Sequence, residues 1–214
     1  MIEYRNLTSS EVDILKKQGC TADNWDTILV HPDFETTYIF NATFSGYIKL
    51  GLFQKEFILP GGLKKHSGIW NTALHNCELG NDILIENVQN YIANYKIGNN
   101  VFIQNIHLMY VDHKSTFGNG VQASVLNETG GREVLINNIL SAHLAYIQSF
   151  YRHRPLLVER LHRIIKLYSD ANSSEMGTIG NNVKIVNSGS IKNVKIGDCT
   201  VIEGARHLEN GSIN

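Results

Sequence analysis

One stretch of this chain repeats itself without a gap, and that repeat limits what the chain can fold into more than any other feature. Leu74 to Asn87 aligns on Ile92 to Asn105 at an offset of 18 residues, which sets Leu79-Gly80-Asn81 on Ile97-Gly98-Asn99 and Ile85 on Ile103. The signal returns as Ile179-Gly180-Asn181-Asn182-Val183-Lys184-Ile185, and again as Ile196-Gly197-Asp198-Cys199-Thr200-Val201-Ile202. Phe117-Gly118-Asn119-Gly120-Val121 carries its centre after 20 residues, which predicts one turn of the repeat lengthened by two. A unit of this length divides into three segments of about six. If each segment is a short strand and a corner, aliphatic residues six apart all point into one narrow core. Leu79, Ile85, Ile97 and Ile103 take that role. Glycine and asparagine suit the corners because they best tolerate positive φ. Asn76 over Asn94, and Asn87 over Asn105, are then expected to stack as amide ladders between strands about 4.8 Å apart.

Elsewhere the period is helical. Thr8-Ser9-Ser10-Glu11 reads as a capping box, and Gly19 as the stop of a short helix. Ile139, Leu140, His143, Leu144, Ile147 and Phe150 predict a helix over 137–152. Pro155, suited to a first helical turn, opens a second over 155–170 with Leu156, Leu157, Leu161, Ile164, Ile165 and Tyr168. The expected class is therefore mainly β: a parallel β-helix solenoid with a short N-terminal helix and an inserted α-helical hairpin. Its expected segments are 1–38 as lead-in, 39–134 as the first β block, 135–172 as the insertion and 173–214 as the second block.

Charge and composition remove several function classes. A formal net charge of -1 gives no global attraction to nucleic acid or to an acidic membrane. There is no secretory leader and no apolar run long enough to span a bilayer, so a cytoplasmic protein that binds no membrane is expected. Cys20, Cys77 and Cys199 are far apart and odd in number, and no histidine pair has metal-ligand spacing, so neither disulfides nor a metal are expected.

Candidate chemistry rests on local context. His66 follows Pro60-Gly61-Gly62 and Lys64-Lys65 in a donor-rich loop, and His75 lies beside the ladder residue Asn76. Either could exchange a proton near neutral pH. His107 and His113 bracket the lengthened repeat, whereas His143 on an apolar helical face reads as a core histidine. The segment Asn127-Glu128-Thr129-Gly130-Gly131-Arg132-Glu133 puts both charge signs beside two glycines that let backbone N–H groups approach a ligand. It reads either as a substrate loop, with Glu128 as its catalytic candidate, or as a turn whose Arg132 and Glu133 anchor the insertion. Arg152 and Arg154 head a basic helical surface that is either a phosphate contact or simply solvated.

With the repeats in hand, the chain resembles the hexapeptide-repeat superfamily. More narrowly, Leu59-Pro60-Gly61-Gly62-Leu63, Asn90-Tyr91-Ile92-Ala93-Asn94-Tyr95 and Leu126 to Val134 are similar to the N-terminal part of an uncharacterised bacterial family within it. The resemblance implies a left-handed β-helix, a homotrimer, and an acyltransferase-like or sugar-nucleotide-related transferase using acyl-CoA or a nucleotide-sugar on a small-molecule substrate. It also implies that a C-terminal continuation of the β-helix is missing. No histidine aligns with that superfamily's catalytic motif, so a non-catalytic ligand-binding or scaffold protein stands beside the enzyme. Nucleic-acid binding is a distant third.

Overall fold

A computed structural model describes residues 3–124 and 130–214. The repeat builds three ladders of parallel strands. In the first, Ile39, Ile69, Ile85, Ile103, Ile185 and Ile202 stand opposite one another in successive strands. In the second, Phe44, Leu74, Ile92, Met109, Ile191 and Leu208 do the same. Leu79, Ile97, Ile179, Ile196 and Ile213 make the third. All belong to one 14-stranded sheet, and most of their side chains are buried in one continuous core. Each buried aliphatic contributes roughly 1.5–3 kcal/mol of hydrophobic stabilisation before the entropy of ordering is set against it. The result is a mainly β protein with a large, almost wholly parallel sheet and few helices.

The corners show why the sequence needs asparagine. Asn41, Asn71, Asn87, Asn105 and Asn187 all adopt positive φ, between 49° and 55°. Their side-chain amides form a continuous chain of hydrogen bonds at 3.1, 2.9, 3.4 and 3.2 Å. Asn76 likewise donates to Asn94 at 3.3 Å. Each amide thus satisfies its neighbour at a position that disfavours most side chains.

The ladder offset is 18 residues from Asn87 to Asn105 but 82 from Asn105 to Asn187. Parallel pairing stops at Tyr110 and resumes at Gly177. Between them Ser115 and Ser174 form an antiparallel bridge that closes the neck of the insertion. Phe117-Gly118-Asn119 is therefore no lengthened repeat. Phe117 is buried against the core, and its carbonyl accepts from Ser212 Oγ at 2.9 Å. The resemblance of its sequence to a corner reflects shared turn chemistry, with positive φ at Phe117 and Gly118.

Within the insertion a small antiparallel pair, Gln122–Ala123 with Val134–Leu135, receives two helices, α2 (Ala142–Phe150) and α3 (Pro155–Asn172). The apolar stripes expected to bury these helices are largely exposed: Ile139 by 62%, Leu156 by 74% and Ile164 by 62%. His143 is exposed as well, not a core histidine. The buried side chains include Gln148 and Ser169, because these supply hydrogen bonds to the main chain beneath them. Gln148 accepts from Leu135 N, and Ser169 donates to Asn119 O, both at 2.9 Å.

At the other end, helix α1 (Ser9–Lys17) starts with the expected capping box. Arg5 clamps Glu11 with two hydrogen bonds of 2.9 and 2.8 Å, and Thr8 N–H donates to the same carboxylate. The Arg5 guanidinium, ahead of the Thr8 contacts, lowers the Glu11 pKa to about 2. A depressed carboxylate stabilises the fold fully above its unfolded pKa of about 4.3, and the contribution disappears as pH falls toward 2. After allowance for solvent screening, Glu11→Gln is expected to cost about 1–2 kcal/mol at pH 7. The difference from the parent should shrink to nothing in urea melts as pH approaches 2.

Candidate functional site

The outward-facing residues of the second ladder create a cleft. Reading across the strands, Ser45 pairs with His75, His75 with Ala93, Ala93 with Tyr110, and Tyr110 with Lys192. Thr43 pairs with Ala73 in the neighbouring row. Two alanines therefore form a floor between taller neighbours. The resulting hollow, about 570 Å³, has Tyr91 and Tyr110 at one side and Ser45 and His75 at the other. A second hollow of about 550 Å³ adjoins it across Asn94, Val111 and Asp112, and reaches Tyr47, Glu78 and Lys96. Its far wall, with His113 and Glu175, lies beside the neck of the insertion.

Asp112 is the electrostatic centre of this region. Lys192 Nζ lies 2.9 Å from its carboxylate, Asn193 Nδ2 donates to it at 2.9 Å, and His113 Nδ1 contacts it as well. Lys192 foremost, then Asn193 and His113, lower its pKa to about 2. Asp112 and Glu209 in turn raise the Lys192 pKa. Both groups are thus charged at neutral pH. Glu78 and Lys96 form another pair at 2.9 Å on the adjoining face.

His75 is well placed but held in a state unsuited to activating Ser45. Tyr47 N–H donates to Asn76 Oδ1 at 3.0 Å, which leaves the Asn76 amide nitrogen toward His75 Nε2 at 2.9 Å. With Nε2 accepting, the proton of the neutral ring sits on Nδ1 and points at Ser45 Oγ, 2.8 Å away. The imidazole therefore donates to the hydroxyl in this arrangement.

The remaining sequence candidates lie elsewhere. His66 closes a hairpin, Glu56–Ile58 with Lys64–His66, that packs near the outer side of the first ladder. Its ring stacks on Tyr38 with centroids 3.4 Å apart, and Nδ1 donates to the Ser67 carbonyl at 2.8 Å. Asn127, Glu128 and Thr129 fall outside the described residues. Gly130 and Gly131 have φ of 79° and 93°, and Gly131 N–H donates to Glu133 Oε1 at 2.6 Å. Arg152 donates to the Glu133 carbonyl at 2.9 Å, while Arg132 lies over the Phe150 ring at 5.6 Å. These contacts tie Arg132, Glu133 and Arg152 to one another and to the insertion. Arg154 is exposed just before α3 and makes no capping bond with its side chain. His66, His75 and the Gly130–Glu133 turn share no cleft among the described residues. Nor do the described residues bring together three His, Cys, Asp or Glu side chains able to hold a metal ion.

Sequence reasoning missed Tyr91, Tyr110 and Asp112 as site residues. The departure from the 18-residue spacing after Asn105 is a signal for Tyr110 and Asp112, whereas nothing in the sequence marks Tyr91.

Three comparisons bear on kinship. A family model described as "Domain of unknown function (DUF4954)" matches residues 4–214. An uncharacterized protein of Treponema pallidum (strain Nichols) is 28% identical over 218 residues, covering 97% of this chain and 30% of that protein. The chain thus spans less than a third of the length of that relative. No solved structure matches. The expected membership of the hexapeptide-repeat, acyltransferase-like superfamily is overturned by the family match, which takes in nearly the whole chain. Repeat spacing and corner residues alone misled, because they report the geometry of short parallel strands and not descent. No helix among the described residues is long and apolar enough to cross a membrane.

Proposed function

Since the chain belongs to the DUF4954 family, whose description carries no chemistry, we propose a function from the cleft itself: a non-catalytic, ligand-binding protein that takes a sugar ring. In this reading the three ladders are the faces of a left-handed parallel β-helix used as a rigid platform. Support for three faces per coil comes from the 17- and 18-residue offsets between stacked corners, which leave room for three short strands and little else. A crystallographic trace winding to the right would overturn that part.

The observation that carries the binding role is the alanine floor between Tyr91 and Tyr110 on one side and Ser45 and His75 on the other. A sugar ring offers an apolar face of C–H groups and a rim of hydroxyls. Tyrosine rings suit the face, while Ser45, Asn94 and Asp112 suit the rim. The Nδ1–H tautomer of His75 supports binding over catalysis, because the ring offers no base to Ser45. Nothing in the cleft favours an acyl-CoA.

Calorimetric titration with monosaccharides, UDP-sugars and acetyl-CoA tests the reading. A saccharide or UDP-sugar is expected to bind, and Tyr91→Ala to weaken binding about tenfold or more, the loss of roughly 1.4 kcal/mol or more typical of an aromatic contact. No heat from any saccharide or UDP-sugar at millimolar concentration would sink it. Binding of acetyl-CoA alone would return the transferase alternative.

A further inference from the structure

A third hollow, about 680 Å³ in volume, lies on the insertion between α3 and the short antiparallel pair. Its walls are fixed to each other. Ser169 Oγ donates to the Asn119 carbonyl at 2.9 Å, which holds the turn before the pair against the helix. Gly120 permits that approach, since a Cβ there would lie 2.8 Å from Ser169 Oγ.

On the helical wall Glu159, Arg163, Lys166 and Asp170 follow one another, all exposed and all lining the hollow. Glu159 with Arg163, and Lys166 with Asp170, stand four residues apart, the spacing at which opposite charges meet on a helix. Yet among the described residues none of the four side chains forms an ion pair or a hydrogen bond. His162 on the same wall stays neutral at pH 7, because burial first and Arg152 second push its pKa down. The hollow therefore carries two charges of each sign. The opposite wall supplies apolar surface from Leu135 and from Val121, which is 51% exposed.

This balance selects among ligands. A dianion would gain from the two cations and lose to the two carboxylates, while an uncharged apolar molecule would leave all four groups idle. A molecule with one charge of each sign and an apolar middle uses both. Spacing sets its length: Arg163 and Asp170 are about 10 Å apart along the helix axis, seven residues at about 1.5 Å each. The ends of an extended tripeptide are separated by about the same distance, three residues at roughly 3.3 Å.

We propose that this hollow binds short peptides of two or three residues with both ends free. Arg163 and Lys166 hold the carboxylate, Asp170 holds the ammonium, and Val121 and Leu135 receive the side chain between them. Asp170 lies in the last turn of α3, where the negative end of the helix dipole also favours a cation. Arg163 presents the planar fork that suits a carboxylate, and Glu159 beyond it repels any further anionic group. The site is separate from the sugar cleft, with which it shares no residue.

Calorimetric titration of the whole chain tests this with three forms of the tripeptide Ala-Leu-Ala: both ends free, the amino end acetylated, and the carboxyl end amidated. The free form is expected to bind, and either cap to weaken it about fivefold, the upper end for one solvent-exposed charge contact. Arg163→Gln combined with Lys166→Gln should make the free and amidated forms equal, and Asp170→Asn the free and acetylated forms. These side chains are exposed, so far-ultraviolet circular dichroism should not change. No binding of the free form to the parent at millimolar concentration would overturn the proposal. So would equal affinity for the three forms, or a preference that survives these substitutions. Loss of peptide binding in Tyr91→Ala would overturn it too, by placing the peptide in the sugar cleft.

Discussion

Gly177→Leu is expected to destabilise the protein by about 3 kcal/mol or more, among the larger single-site effects open to this chain. Gly177 pairs with Tyr95 in the third ladder. A Cβ built on Gly177 would lie 2.3 Å from a ring carbon of Tyr95, too close for any side chain to remain where it is. Tyr95 is fully buried, and its hydroxyl donates to the Val194 carbonyl at 2.9 Å, beyond the strand that carries Gly177. Burial raises its pKa, so the phenol stays neutral and a donor. The ring therefore occupies the volume that the glycine leaves empty, and neither residue can change independently. Urea unfolding of Gly177→Leu, Tyr95→Ala and the double variant would show the coupling. The double variant is expected to be clearly more stable than the sum of the single losses predicts, and strict additivity would refute the pairing.

The second large effect is expected at a corner. Asn105 has φ of 52° and lies between Asn87 and Asn187 in the amide ladder. Asn105→Val puts a β-branched residue into the left-handed region, at about 1–2 kcal/mol, and removes both amide contacts, at about 1 kcal/mol more. Asn105→Gly keeps the backbone at ease and loses only the contacts, so its midpoint in urea should fall by less than half as much. Equal losses in the two variants would mean that the corner conformation is not what the asparagine provides.

Those two sites divide what was legible in the sequence from what was not. The corner could be read directly, because a positive φ selects asparagine and the selection repeats at each turn. The Ile85–Ile103 core column and both inserted helices were visible for the same reason: period alone marks them. Tyr95 and Gly177 were not visible as partners, since they lie 82 residues apart and only the register across the insertion brings them together. The hairpin that carries His66 was read as a loop, its strands being too short to show a period. The cleft was harder still. Its floor is Ala73 and Ala93, which attract no notice in a sequence, and its shape exists only as a difference in size between residues on neighbouring strands. The helical stripe from Ile139 to Phe150 misled because apolar spacing says which side chains share a face, not whether a surface exists to receive it. Here Gln148 and Ser149 took the buried positions.

The neck at Ser115 and Ser174 has a bearing on how the molecule comes apart. The register from Tyr110 and Tyr95 to their later partners is kept as though the intervening helices were a single corner. Helices α2 and α3 can then detach without breaking any rung beneath them. Native-state hydrogen exchange is accordingly expected to give two opening free energies, a higher one for the rungs of the frame and a lower one for the appendage. Damage confined to the appendage stays there, which leaves its sequence free to diversify while the frame remains in register.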